Sequence, residues 1–225
     1  MQPKFTERYK KYWSHRDFAF SSLIGLLLLV LSLTANHFAS LYATREASSA
    51  VTDLLLDNLP VMQVEWIVND AAALFGFFMA FLLLWQPRRL PFALKSTALF
   101  VSIRALFMIF THLAPFPERL VLDPNDFFGA LTTGGDYFFS GHTGLPFLFA
   151  LIYWQEKSVR YACLTASLIL GTGVILAHLH YSIDVFAAYF ITYGIFVLTQ
   201  RLFAKDYFVF SEKGLPPEAT LPRRF

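Results

Sequence analysis

Residues 18–44 read FAFSSLIGLLLLVLSLTANHFASLYAT, a long run without Asp, Glu, Lys or Arg. About 20 apolar residues are enough for one helix to cross a bilayer, so this run predicts a transmembrane helix. The whole chain shares the same bias, because 56% of its 225 residues are hydrophobic and only 15% are charged. A soluble domain carries about 25% charged residues. The composition therefore predicts a polytopic integral membrane protein.

Five further apolar runs follow and predict an all-α bundle of six transmembrane helices. They cover residues 66–86, 91–113, 141–154, 161–177 and 185–200. The chain then divides into an amphipathic N-terminal segment (1–17), a six-helix transmembrane domain (18–200) and a polar tail (201–225), which we expect to be poorly ordered. The single cysteine, Cys163, excludes an intrachain disulfide and a cysteine-based metal cluster.

The positive charges are distributed unevenly over this predicted topology. Residues 1–17, the turns near 86–95 and 155–160, and the tail together hold 15 of the 18 Lys and Arg. Because cytoplasmic loops collect Lys and Arg, both termini are predicted to be cytoplasmic. The short loops and the lack of extra domains favour a bacterial inner membrane. A net charge of +2 gives no indication of nucleic-acid binding.

A polar stretch at residues 134–143, GGDYFFSGHT, interrupts the apolar pattern on the predicted non-cytoplasmic side. Ser140 can cap the helix that follows, which would put Gly141, His142 and Thr143 in its first turn. The first turn of a helix offers unpaired N–H groups and the positive end of the helix dipole. This stretch therefore predicts a site for an anion such as phosphate.

A second polar stretch, HLHYSID at residues 178–184, lies on the same predicted side. His180 and Asp184 are spaced i, i+4, so on one helix face the carboxylate would hold one ring nitrogen of the imidazole. The other nitrogen could then attack phosphorus or move a proton, and His142 offers a second imidazole. The pair predicts metal-independent phosphoryl transfer. Arg104, a cation inside the third span, is predicted to bind the phosphate.

The two stretches resemble the third and fourth signature motifs of the sphingomyelin synthase family, which belongs to the type 2 phosphatidic acid phosphatase superfamily. The matching patterns are Gly-Gly-Asp-x3-Ser-Gly-His-Thr (134–143) and His-Tyr-Ser-x-Asp-Val-x2-Ala-Tyr (180–189). Arg104-x6-Thr111 resembles the end of the family's second motif. The third motif of the family usually begins with Cys, where this chain has Gly134.

The resemblance extends over about residues 18–200 and implies a six-helix core with its active site on the non-cytoplasmic side. It implies that His180 is the nucleophile, that Asp184 orients it, and that His142 acts as acid and base. The implied reaction transfers phosphocholine or phosphoethanolamine from a glycerophospholipid to ceramide or another lipid alcohol and releases diacylglycerol. It proceeds through a phosphohistidine and uses no cofactor or metal.

Substrate contacts are predicted for six residues: Asp136, Ser140, Gly141, Thr143, Arg104 and Tyr181. A single cation suits a phosphodiester with one negative charge better than a monoester near −2, which favours a phospholipid donor and a lipid-alcohol acceptor from the bilayer. Two alternatives stay open, a lipid phosphate phosphatase and a non-catalytic lipid transporter or scramblase. Water as acceptor would give phospholipase C chemistry. Asp70 and Glu65 are either head-group ligands or solvated helix ends, and the oligomeric state is left open.

Overall fold

The computed structural model describes residues 9–10, 12–121 and 138–211, which form helices joined by turns and irregular segments, without any β-strand. The named helices are α1 (Arg16–Arg45), α2 (Ile67–Trp85), α3 (Leu90–Phe110), α4 (Gly141–Ile152), α5 (Lys157–Leu176), α6 (Ser182–Leu202) and α7 (Ala204–Ser211). A π-helical turn, Ile67–Ala71, opens α2, and a 3-10 turn, Pro87–Arg89, leads into α3.

Five of the six predicted spans are confirmed as helices long and apolar enough to cross a membrane, namely α1, α2, α3 with its preceding turn, α5 and α6. The exception is α4, whose 12 residues make about 18 Å of helix, whereas the hydrocarbon core is about 30 Å thick. Leu148 and Ala150 of α4 are fully buried. This short apolar helix is therefore packed inside the bundle, and it begins part-way through the thickness of the membrane domain.

The start of α6 and the end of α3 differ from the positions that the apolar runs predict. Helix α6 begins at Ser182 instead of residue 185, because Tyr181 is extended (φ −63°, ψ 153°) and its N–H donates to the Asp184 carboxylate at 3.1 Å. Helix α3 ends at Phe110 instead of residue 113, because Thr111 is extended (φ −120°, ψ 121°). Each of these two ends thus differs from its predicted position by three residues.

The start of the tail is ordered, contrary to the expectation that residues 201–225 lack structure. Helix α7 packs against the bundle through Asp206, whose carboxylate accepts from Lys95 Nζ at 2.6 Å and from Ser21 Oγ at 2.6 Å. Both charged side chains of this ion pair are buried. The predicted polar tail therefore contributes a fixed helix, and residues 212–225 lie outside the described residues.

One end of the bundle, which we call the basic end, is formed by the turns at residues 86–89 and 153–157. Arg89 Nη2 lies 2.7 Å from Glu156 Oε1, Arg89 Nη1 donates to the Ile152 carbonyl, and Gln86 Nε2 donates to Glu156 at 2.8 Å. These contacts place both short basic turns together. The opposite end, called the site end, carries the two segments 46–66 and 111–121.

Candidate active site

The two polar stretches of the sequence meet at one place in the structure. The backbone N–H of Ser140, just before α4, donates to the backbone carbonyl of Asp184 in the first turn of α6 at 3.0 Å. Gly171 of α5 lies against both helices, since a β-carbon there would be 2.8 Å from Thr143 Oγ1 and 3.3 Å from Val185 Cγ1. The N-terminal ends of α4 and α6 are therefore direct neighbours.

The second histidine and its acid form a buried pair. His180 Nδ1 lies 3.4 Å from Asp184 Oδ2, which is longer than a typical N–H···O distance of about 2.7–3.2 Å. His180 is 5% exposed and Asp184 is fully buried. Because α6 begins at Ser182, the carboxylate reaches back from the first helical turn to a residue ahead of the helix, instead of along one helix face.

Arg104 lies at the N-terminus of α4. Its Nε donates to the Phe139 carbonyl at 3.2 Å, and its Nη1 donates to Asn36 Oδ1 of α1 at 3.2 Å. A β-carbon on Gly141 would be 3.7 Å from Arg104 Nε, an ordinary van der Waals distance, so the guanidinium lies directly beside the first residue of α4. A fixed cation beside the first N–H groups of a helix makes a strong environment for an anion.

The backbone just before α4 is held in an unusual conformation. Phe139 has a φ of 25°, which is uncommon for a residue other than glycine. Its ring packs edge-on against Phe100 of α3, with ring centroids 5.2 Å apart, and the side chain is fully buried. This packing holds the Phe139 carbonyl where Arg104 donates to it, and so ties the start of α4 to α3.

A cavity of about 460 Å³ lies between α1, α2, α3 and α4. Its polar part is formed by Asn36, Arg104, Gly141 and His142, and the rest of its wall is mostly apolar. Along α3 the wall runs from Ala93 to Arg104, about 16 Å at 1.5 Å per residue, close to half of a hydrocarbon core about 30 Å thick. The polar end of the cavity is therefore at Arg104, and the rest of the wall along α3 is mostly apolar. Among the described residues, the wall includes His142 but not His180.

The site lies below the site end of the bundle. Arg104 and Gly171 are each fourteen residues from the basic end of their helices, at Leu90 and Lys157, or about 21 Å along the axis. Both helices are about 30 Å long, so the site is about 10 Å beneath their other end. Residues of segments 46–66 and 111–121 cover it, because Leu56, Val64 and Leu120 form one buried cluster with Tyr181 and Val185.

These covering segments are bonded to the turn between α5 and α6. Leu120 N donates to the Ala177 carbonyl at 2.9 Å, and Met62 N donates to the Leu176 carbonyl at 2.9 Å. Tyr181 donates its hydroxyl to the Ala114 carbonyl at 2.9 Å. His178 has a φ of 54°, and its Nδ1 lies 2.9 Å from the Glu118 carbonyl oxygen. The turn that carries His180 is thus held from two sides.

The predicted site residues fall into distinct positions. Gly141, His142 and Arg104 line the cavity, whereas Thr143 is buried against Gly171 and Tyr181 is used by the covering segments. Ser140 stands at the N-cap position, but its buried hydroxyl makes no capping bond and has no hydrogen-bond partner among the described residues. Gly134, Gly135, Asp136 and Tyr137 lie outside the described residues. The roles assigned to all these residues stay predictions.

Sequence reasoning missed two polar residues near the site. Asn36 lies in the uncharged run of α1 and holds Arg104; an amide within a transmembrane run is itself a signal, because polar groups there need partners. Asp53 lies in the segment before α2 and accepts hydrogen bonds from Ser182. Its position gave no pattern that a single sequence could reveal.

The fold and the site together define a polytopic helical membrane protein with a buried arginine at the polar end of a mostly apolar cavity. The family model described as PAP2 superfamily C-terminal matches residues 133–201, which include α4, α5 and nearly all of α6. This match supports the type 2 phosphatidic acid phosphatase superfamily, whose members are typically phosphatases or phosphotransferases that act on lipids. No curated protein and no solved structure matches the chain.

Proposed function

We propose that this protein transfers a phosphorylated head group from a glycerophospholipid to a lipid alcohol and releases diacylglycerol. The observation that carries the proposal is the joining of the two polar stretches, with Arg104 and His142 at the polar end of the cavity. The cavity would take one chain of the donor lipid and present its phosphate to the N-terminus of α4. The acceptor is ceramide or another lipid with a free hydroxyl.

The proposed reaction has two halves. In the first, His180 Nε2 forms a bond to phosphorus, and the bond from phosphorus to the diacylglycerol oxygen breaks while His142 gives that oxygen a proton. Asp184 holds Nδ1 and stabilises the positive ring. In the second half, His142 takes the proton of the acceptor hydroxyl, whose oxygen attacks phosphorus and releases His180. Water in place of the lipid alcohol would give phospholipase C chemistry at the same site.

The charge of the cavity supports a phosphodiester donor. Arg104 is the only Arg or Lys in the cavity wall formed by the described residues, and a phosphodiester carries one negative charge. A monoester such as phosphatidic acid carries a charge nearer −2 and would favour a second cation. The superfamily match is equally consistent with a lipid phosphate phosphatase, which is therefore the second candidate.

The experiment that separates these candidates is a product assay on the purified protein with labelled phosphatidylcholine, phosphatidylethanolamine and phosphatidic acid, each with and without ceramide. We expect diacylglycerol together with a new phosphorylated lipid, and no product from the His180→Ala variant. Inorganic phosphate released only from phosphatidic acid would establish the phosphatase. No turnover of any lipid, with lipid movement between leaflets that persists in His142→Ala, would favour a transporter or scramblase.

A further inference from the structure

Asp53, in the covering segment 46–66, is a buried carboxylate outside the proposed reacting groups. It is 8% exposed and accepts four hydrogen bonds. Its Oδ1 accepts from the backbone N–H groups of Leu55 at 2.9 Å and Leu56 at 3.2 Å. Its Oδ2 accepts from the backbone N–H of Ser182 at 2.7 Å and from Ser182 Oγ at 2.9 Å. Oδ1 thus binds the backbone of the segment that contains Asp53, and Oδ2 binds the first residue of α6.

The partner of Asp53 is the first residue of α6. Ser182 lies two residues after His180 and two before Asp184, so it is the centre of the turn on which the proposed nucleophile and its orienting acid are both mounted. A carboxylate at a helix N-terminus interacts favourably with the helix dipole, and its hydrogen bonds are charge-assisted. Asp53 therefore holds this turn more firmly than a neutral acceptor would.

The distance between His180 and Asp184 makes their orientation sensitive to how Ser182 is held. His180 Nδ1 and Asp184 Oδ2 are 3.4 Å apart, so a small rotation of the turn decides whether they form a good hydrogen bond. Asp184 already uses the same oxygen to accept from Tyr181 N at 3.1 Å. The orientation of the pair thus depends on how the turn between α5 and α6 is held from outside, and Asp53 holds it at Ser182.

We propose that Asp53 is a positioning residue that fixes the His180–Asp184 pair through Ser182. This inference rests on the proposed function, which makes His180 and Asp184 reacting groups. The four hydrogen bonds of Asp53 are the physical basis for the positioning. Without the carboxylate, two donors of Ser182 lose their partner and the turn moves. A displacement of about 1 Å at reacting groups costs about 100-fold in rate, and the cost falls on kcat because the cavity that binds the lipid is unchanged.

The test compares kcat and KM of the purified full-length protein and its Asp53→Ala, Asp53→Asn and Thr52→Ala variants, with a fluorescent phosphatidylcholine as donor. We expect Asp53→Ala to lose about 100-fold in kcat with KM nearly unchanged, and Asp53→Asn, which keeps one acceptor for Ser182, to fall between that variant and the wild type. Thr52→Ala is the matched control, because Thr52 is the exposed neighbour of Asp53 in the same segment and takes no part in the four hydrogen bonds of the Asp53 carboxylate. It should keep nearly full turnover.

A double-mutant cycle with Ser182→Ala checks that Asp53 acts through Ser182. Removing the hydroxyl should make the kcat loss on Asp53→Ala smaller than in the wild-type background, since coupled partners are not additive. A folded Asp53→Ala protein with wild-type kcat would overturn the inference. If Asp53→Ala does not fold, Asp53→Asn takes its place, because the asparagine side chain is of similar size and retains an acceptor. A wild-type kcat in Asp53→Asn would then overturn the inference.

An NMR readout separates this inference from the proposed reaction. The imidazole ¹⁵N signals of His180, assigned by comparison with His180→Gln, should shift in Asp53→Asn and stay in place in Thr52→Ala. This measurement needs no substrate. If the wild type turns over none of the lipids, the proposed function fails, and the His180 signals alone decide whether Asp53 positions the ring. Unchanged signals in Asp53→Asn would then overturn the inference.

Discussion

Arg104 connects three parts of the molecule through one guanidinium group. It donates to the Phe139 carbonyl before α4 and to Asn36 of α1, and it borders Gly141 at the polar end of the cavity. These partners lie in different directions, and only the planar fork of arginine offers several donors at fixed angles. A lysine would supply the charge at one point and leave the others without a donor.

We therefore expect Arg104→Gln to lose at least about 100-fold in kcat/KM and Arg104→Lys to lose about 10-fold, since a removed charged hydrogen bond is worth about 1.5–3 kcal/mol. Turnover of fluorescent phosphatidylcholine measures both. Arg45→Gln, an exposed arginine at the end of α1, is the control and should behave as wild type. Equal activity of the lysine and arginine proteins would show that only the charge matters.

The Asp53 carboxyl gives a prediction for the effect of pH on stability. Burial acts to raise its pKa, but the hydrogen bonds from Ser182 and Leu56 outweigh burial, and the pKa lies below its ordinary value. The ionised carboxylate therefore stabilises the fold above the unfolded-state pKa of about 3.9, and this contribution is lost as the pH falls through the lower folded-state pKa.

We expect the Tm of the wild type to fall more steeply below about pH 4 than that of Asp53→Asn, which should already be less stable at neutral pH. Thermal unfolding followed by intrinsic fluorescence in detergent would show this. Other carboxyl groups titrate in both proteins, so the difference between the two curves isolates Asp53. Parallel curves across the acidic range would contradict the role of its carboxylate.

At the scale of helices, close contacts between α3, α4 and α6 place the site, and Gly144 marks the tightest of them. A β-carbon there would lie 2.7 Å from two ring carbons of Phe100 and 2.9 Å from Thr192 Oγ1. Because these rigid neighbours are buried, Gly144→Ala should destabilise the protein by about 1–3 kcal/mol through overpacking. It should also displace the first turn of α4 and lower turnover.

Gly194 provides the matched control for Gly144. It lies in α6, two residues from Thr192, and a β-carbon there would meet nothing within 4 Å. Gly194→Ala should stabilise the protein by about 0.5–1 kcal/mol, because alanine favours the helix. The two Tm changes should therefore have opposite signs. A Gly144→Ala protein as stable as Gly194→Ala would mean that α3 and α4 are less tightly packed than described.

Helix α7 is attached to the bundle by a buried ion pair. Lys95 Nζ lies 2.6 Å from Asp206 Oδ2, and both side chains are at most 8% exposed. Removing one member leaves an uncompensated buried charge, so Asp206→Leu should cost about 3–5 kcal/mol, and the double variant Lys95→Met/Asp206→Leu should be less damaged. Tm measurements give the comparison. Lys205→Met breaks an exposed pair with Asp17 and should change little; a similar loss in Lys205→Met would contradict this account.

For the molecule as a whole, the spans could be predicted from sequence because a membrane allows few alternatives. Long apolar runs indicated the five spanning helices, the two polar stretches contained His142 and His180, and Arg104 stood out as a cation inside an apolar run. The details that failed depend on contacts distant in sequence. The start of α6 is set by the Asp184 carboxylate, the order of α7 by its ion pair with α3, and the support at Ser182 by a carboxylate about 130 residues earlier.

The two ends of the bundle are stabilised in different ways. The basic end is fastened by the ion pairs of Arg89 with Glu156 and of Lys95 with Asp206. The site end is covered by segments 46–66 and 111–121, which hold the turn of His180. A fixed basic end and a covered site part-way through the bundle suit the proposed reaction, whose substrates would arrive from the bilayer.

The charge distribution predicts which end faces the cytoplasm, and chemical labelling can test it. Because Lys and Arg collect on the cytoplasmic side, the basic end should face inward and the site end should face outward.

In a Cys163→Ala background, we expect Ser49→Cys at the site end to react with a membrane-impermeant maleimide in intact cells. Gln155→Cys at the basic end should react only after the membrane is opened. Both positions are exposed, so access to the reagent decides the result, and permeabilised cells confirm that each thiol can react. The reverse pattern would put the anion site on the cytoplasmic face and require a donor lipid from the inner leaflet.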